Sequence, residues 1–156
     1  MITCKNPILS GFYPDPSICR GGEWFYLVTS TFAYFPGIPV FRSRNLAQWE
    51  QIGNILTRES QMPLQGCEHN EGIYAPTLRW HKGTFYLITT NVSGGGNFIV
   101  TAKNPQGPWS ESHFLENARG IDPSLFFDED GTCYYIGQRE NSRGGRYNGD
   151  CEIWIQ

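Results

Sequence analysis

The sequence lacks any strong imbalance of charge. Its 156 residues carry 12 Lys and Arg against 15 Asp and Glu, a formal net charge of −3. So mild a balance excludes a surface built for nucleic acid or an anionic membrane. No apolar run approaches the length of a membrane span, and Met1-Ile2-Thr3-Cys4-Lys5 leads into no hydrophobic h-region. A signal peptide is therefore not expected, and a cytoplasmic location is. The five cysteines (Cys4, Cys19, Cys67, Cys133, Cys151) are odd in number and scattered, with no CxxC pair or zinc spacing. They read as free thiols in a reducing compartment. His69, His81 and His113 stand apart, so no metal site is expected. Cys67-Glu68-His69 lies in an irregular stretch where neighbouring side chains do not make a catalytic pair. Asp128-Glu129-Asp130-Gly131 lacks the distal Glu of a calcium loop and reads as a solvated turn. Asn91-Val92-Ser93 matches a glycosylation acceptor, which carries no weight without export. Finally, no segment sustains a helical period, which predicts an all-β chain.

What the chain does have is turns and rings. Aromatics make up 15% of it, with 18 glycines and 10 prolines, a mix suited to many short strands. An internal repeat organises them. Asp15-Pro16-Ser17-Ile18, Ala75-Pro76-Thr77-Leu78 and Asp122-Pro123-Ser124-Leu125 each open a strand that runs into a turn. The turns are Arg20-Gly21-Gly22-Glu23, His81-Lys82-Gly83-Thr84 and Asp128-Glu129-Asp130-Gly131. Aromatic, β-branched strands follow: Trp24 to Thr29, Phe85 to Thr90, and Cys133 to Ile136. Ile38 to Ser43 then corresponds to Phe98 to Ala102, and a tryptophan closes each unit. Trp49 lies 34 residues after Asp15, as Trp109 does after Ala75. One unit is two successive hairpins recurring every 47 to 60 residues, the signature of a β-propeller blade.

Blade one spans 12–60, blade two 73–115, and a partial blade three 120–156, within one incomplete domain over 1–156. Leu56 to Gly72 reads as a long loop between blades. Gly94-Gly95-Gly96 is a flexible connection, not a phosphate loop. About two and a half four-stranded blades cannot close a ring of roughly four to eight. A lone chain would expose an apolar blade face and an unpaired strand edge.

The innermost strand of each blade lines the channel, so its first residues converge on one mouth. Asp15 and Asp122 start such strands, and Ala75 shows that the repeat itself does not demand a carboxylate there. Proline removes backbone freedom at its own position and the one before, so both aspartates are expected on stiff, extended backbone. Two facing carboxylates point to glycosidic bond cleavage, one as base and one as acid; inverting enzymes hold their pair about 6.5–9.5 Å apart. Phe32, after the second strand of blade one, and Tyr74, just before Ala75, offer ring faces for a sugar or for packing. Trp49, Trp80 and Trp109 read as core.

Asn6-Pro7-Ile8-Leu9, Tyr13-Pro14-Asp15-Pro16-Ser17, Thr29-Ser30-Thr31-Phe32, Phe35-Pro36-Gly37, Gly72-Ile73-Tyr74-Ala75-Pro76 and Gly120-Ile121-Asp122-Pro123-Ser124-Leu125 resemble glycoside hydrolase family 43, nearest its β-xylosidases and α-L-arabinofuranosidases. The resemblance runs over essentially the whole chain. It implies a five-bladed propeller that cleaves xylosidic or arabinofuranosidic bonds in xylo-oligosaccharides with inversion. It implies Asp15 as general base and Asp122 as the aspartate that orients the general acid and tunes its pKa. Phe32 and Tyr74 would line the subsite of the non-reducing sugar, where many relatives have tryptophan in place of Tyr74. No cofactor is implied as required, although a calcium ion occupies the channel of some relatives. The family's acid is a glutamate in a Thr-Glu-Gly-type motif on a later blade, which this sequence does not contain, and neither Glu140 nor Glu152 replaces it. The remaining blades would come from a C-terminal continuation or a second chain, and residues 1–156 alone are expected to be inactive. Two other readings stay open: a carbohydrate-binding or interaction propeller without catalysis, and a fructan- or pectin-active relative. Phe35-Pro36-Gly37 and Ile73-Tyr74-Ala75-Pro76 favour the xylosidase branch over the fructan one.

Overall fold

Each predicted hairpin is a hairpin in the computed structural model, which describes residues 4–141, 143–144 and 149–156. Residues 142 and 145–148, inside the expected partial blade three, lie outside the described residues, as do the first three. β1 (Ser17–Gly21), β2 (Trp24–Val28), β3 (Gly37–Ser43) and β4 (Glu50–Leu56) form one antiparallel sheet in sequential order. β5 (Thr77–His81), β6 (Thr84–Asn91), β7 (Gly96–Ala102) and β8 (His113–Phe114) repeat it. β9 (Ile121–Phe127), β10 (Cys133–Glu140) and β11 (Cys151–Ile155) make a three-stranded third sheet. The chain is all-β, built as blades of a propeller that is five-bladed when complete. No helix among the described residues is long and apolar enough to cross a membrane.

The inner strands β1, β5 and β9 stand side by side. Ser17 Oγ accepts from the Leu78 amide at 3.2 Å, and Arg79 donates to Leu125 O and Ser124 Oγ, both at 2.9 Å. Strand alternation explains how one sheet serves two interfaces. Leu87 and Val100 point into the core shared with Val28, Val40 and Ile55 of blade one. Their chain neighbours Ile88 and Ile99 point into a second core with Leu125 and Tyr135 of blade three. Blade two is thus buried on both faces, which is why β6 carries five consecutive buried residues at its end.

The tryptophans divide. Trp109 is buried and Trp49 half-buried, and each indole N–H returns to a nearby loop carbonyl, Pro105 O at 3.2 Å and Leu46 O at 3.0 Å. Trp80, expected in the core, is 43% exposed. Its cross-strand partner Phe85 takes the shared face, edge-on to Tyr26 at 5.0 Å, and Trp80 is left outside at the hairpin end. Beyond Leu56, which ends β4, the stretch to Gly72 holds no strand, yet it is tightly fixed. The fully buried Gln61 accepts from the Thr57 and Arg58 amides and donates to Ser110 O at 2.7 Å.

Candidate active site

Asp15 and Asp122 do stand at the starts of inner strands, but their backbone is not extended. Their φ angles are +53° and +56°, in the left-handed region. The clash with a following proline closes the right-handed helical region without closing this one. Aspartate is among the few residues that tolerate it. Such a conformation costs about 1–3 kcal/mol and persists only where the surroundings hold it. Ala75, at the same place in blade two, is not among the residues with positive φ. The two carboxylates therefore share a backbone geometry that the repeat does not impose.

Different groups hold each one. The Ser30 hydroxyl donates to Asp15 Oδ2 at 2.6 Å, and the Ser30 amide donates to Pro14 O at 3.1 Å. Asp122 follows Gly120, whose φ of +95° lets the chain pass so close to β10 that a Cβ there would strike the Gln138 carbonyl. A register shift between Ile136 and Gln138 lies at the same point.

The Asp122 carboxyl is pushed up from its ordinary 3.8, first by burial and second by the negative charge of Asp15. Asp122 keeps an exposed side towards the mouth, but the walls around it thin its hydration. The second cause matters more for chemistry, because it brings residues 107 positions apart in sequence into one electrostatic site. A carboxyl whose folded pKa is raised contributes stability that is fully present below its unfolded pKa and is lost as pH rises through the folded value. Asp122→Asn is therefore expected to melt at or above the native temperature near neutral pH, with the gap closing in acid. Thermal melts across that range check this; a variant that is less stable only at neutral pH would contradict it.

Rings flank the carboxylates. Phe32 pairs with Ile73 through both backbone bonds, 2.8 and 3.0 Å, and its ring meets Tyr74 edge-on at 5.6 Å. Gly72 permits this approach: a Cβ on it would collide with Phe32 O. Phe12, 70% exposed, stacks on the other side of Phe32 at 6.0 Å and 28°. The structure thus unites Asp15 with Asp122 and Phe32 with Tyr74. It adds Phe12 and Ser30, which sequence reasoning did not single out. The signal for Ser30 was the register: Ser17 pairs with Val28, so two steps outward Asp15 faces Ser30. Phe12 stood beside the motif, among rings too numerous to rank.

Among the described residues, no group of three or more His, Cys, Asp or Glu side chains comes together to hold a metal ion.

Four-stranded antiparallel sheets in sequential order, with their first strands side by side, define the class as a β-propeller. Within that class the chain belongs to Glycosyl hydrolases family 43, which it matches over residues 4–156. It is 65% identical to a xylosidase/arabinosidase of Butyrivibrio fibrisolvens over all of this chain and 30% of that protein. It is 54% identical to a non-reducing-end α-L-arabinofuranosidase of Bacteroides ovatus, over 86% of this chain and 26% of the relative. A solved xylan β-1,4-xylosidase of Bacillus halodurans superposes with a TM-score of 0.89 at 43% identity, covering 99% of this chain and 30% of its own. The chain thus spans less than a third of the length of these relatives.

Proposed function

We propose that the chain supplies the water-activating side of a glycoside hydrolase that removes xylosyl or arabinofuranosyl units from xylo-oligosaccharides with inversion. The observation that carries this is the coupling of Asp15 to Asp122 across two inner strands, both on left-handed backbone. Asp15, open to solvent and steadied by Ser30, takes the proton from a water as that water attacks the anomeric carbon. Asp122 orients the general acid and keeps it protonated through its negative charge. That acid, a glutamate by family resemblance, comes from a later blade and protonates the leaving oxygen. Phe32 and Tyr74 stack on the non-reducing sugar, with Phe12 buttressing Phe32.

The remaining blades, from a continuation of the chain or a second chain, are the partner this reading requires. The exposed Ile153 and Ile155 on β11 support it, since an apolar edge strand favours a neighbour. The reaction draws on no cofactor. Five free cysteines support a cytoplasmic setting.

The test is the configuration of the first product. Xylobiose hydrolysed by the assembled propeller in an NMR tube should release α-xylose first, before mutarotation. Initial β-xylose would mean retention and would remove Asp15 from the role of base.

A further inference from the structure

We propose that Asn97, on the second blade, is the positioning residue that sets where Asp122 stands on the third. The inference rests on the function proposed above for Asp122.

Asn97 is 1% exposed, and every polar group of its side chain is engaged. The two hydrogens of its Nδ2 are shared among Ala118 O at 2.7 Å, Gly120 O at 3.1 Å and the Tyr135 hydroxyl at 3.0 Å. Its Oδ1 accepts from the Thr90 hydroxyl at 2.5 Å. Its backbone carbonyl also receives the Leu115 amide at 2.8 Å. One residue therefore fastens the segment 115–120 at three points, and that segment ends two residues before Asp122. Gly120, held by Asn97 on one side and pressed against Gln138 on the other, leaves the following backbone little room to shift.

Comparison of the two complete blades argues that the asparagine is not there for packing. Val28 pairs with Val40 as Ile88 pairs with Ile99, so Asn97 falls on Ile38 of blade one. Ile38 is fully buried and apolar. The blade architecture accepts an isoleucine there, whereas a buried amide must find all its partners to avoid a desolvation cost. The same register puts Thr90 on Ser30 and Ala75 on Asp15. In blade one the hydroxyl holds a carboxylate directly. In blade two no carboxylate is present, and the hydroxyl turns to Asn97, which reaches across to blade three. The anchoring of Asp15 is thus internal to its blade, and that of Asp122 is borrowed from the neighbour.

The experiment is a double-mutant cycle in the assembled propeller, reading kcat and KM on xylobiose together with melting temperature. Asn97→Leu is expected to lower kcat by about 10²-fold, the loss that a 1 Å misplacement can cause, with KM little changed. In an Asp122→Asn background the same substitution should lower kcat no further, because Asn97 acts through Asp122. Tyr135→Phe removes one partner of Asn97 but neither carbonyl anchor, so it should lower the melting temperature and leave kcat near native. An unchanged kcat in Asn97→Leu, or an equal loss in both backgrounds, would overturn the proposal. Asn97→Ser, which keeps a small polar side chain, is read the same way if the leucine variant does not fold. Full activity in Asp122→Asn alone would instead overturn the role of Asp122, and the inference with it.

Discussion

Asp15→Asn should lower kcat of the assembled propeller by about 10²–10⁴-fold or more while leaving its melting temperature nearly unchanged. The substitution removes the proton acceptor and little else. Asparagine keeps the side-chain oxygen that receives the Ser30 hydroxyl at 2.6 Å. It also tolerates the left-handed φ of +53° as readily as aspartate does. Asp15 is exposed, so no core contact is lost. Folding and sugar stacking on Phe32 and Tyr74 are thereby separated from proton transfer. Binding of xylobiose by the variant, measured calorimetrically, should persist. Native turnover in Asp15→Asn would remove this residue from the chemistry and leave a binding propeller as the better reading. Loss of turnover with binding retained excludes that alternative.

Much of this arrangement was legible because a propeller blade writes its register twice. The turn at Gly22-Glu23 and the turn at Lys82-Gly83 are followed by the same aromatic, β-branched strands, and these strands pair as the repeat predicts. The convergence of Asp15 and Asp122 followed from that repeat, since inner strands must share a channel. The backbone at the two aspartates was not legible. Sequence conveys which region a following proline forbids, but the choice of left-handed φ depends on hydrogen bonds such as Ser30 N–H to Pro14 O that close only in three dimensions. Trp80 escaped for a related reason: its burial was decided by which of two cross-strand rings met Tyr26, and Phe85 did. Asn97 could be read only as one polar residue in an apolar strand. Its Nδ2 partners, at 118, 120 and 135, lie beyond its own blade, in the connection to blade three and in that blade, and nothing local in sequence announces them.

The 156-residue polypeptide on its own is expected to show no turnover of a nitrophenyl xyloside, and supplying the remaining blades should restore it. Cleavage of a glycosidic bond needs a proton delivered to the leaving oxygen as the water attacks. Asp122 is ill placed to be that donor. Its carboxyl is raised in part by the nearby charge of Asp15, the proposed base, whereas a donor must stand across the sugar from the base. Glu152 on β11 is already engaged by Arg139 at 2.9 Å. Lack of protonation alone forfeits about 10²–10⁴-fold. Half a channel also leaves the sugar hydrated on one side, which weakens every charge interaction in the site. The exposed Phe126, Ile153 and Ile155 should meanwhile make the isolated chain prone to self-association, visible by light scattering. Co-expression with the remaining blades should abolish that scattering and bring turnover up together, since the same docking that covers the edge of β11 completes the carboxyl set. Turnover by the purified chain alone, persisting after a further purification step and lost in Asp15→Asn, would show that a proton donor already lies within these residues.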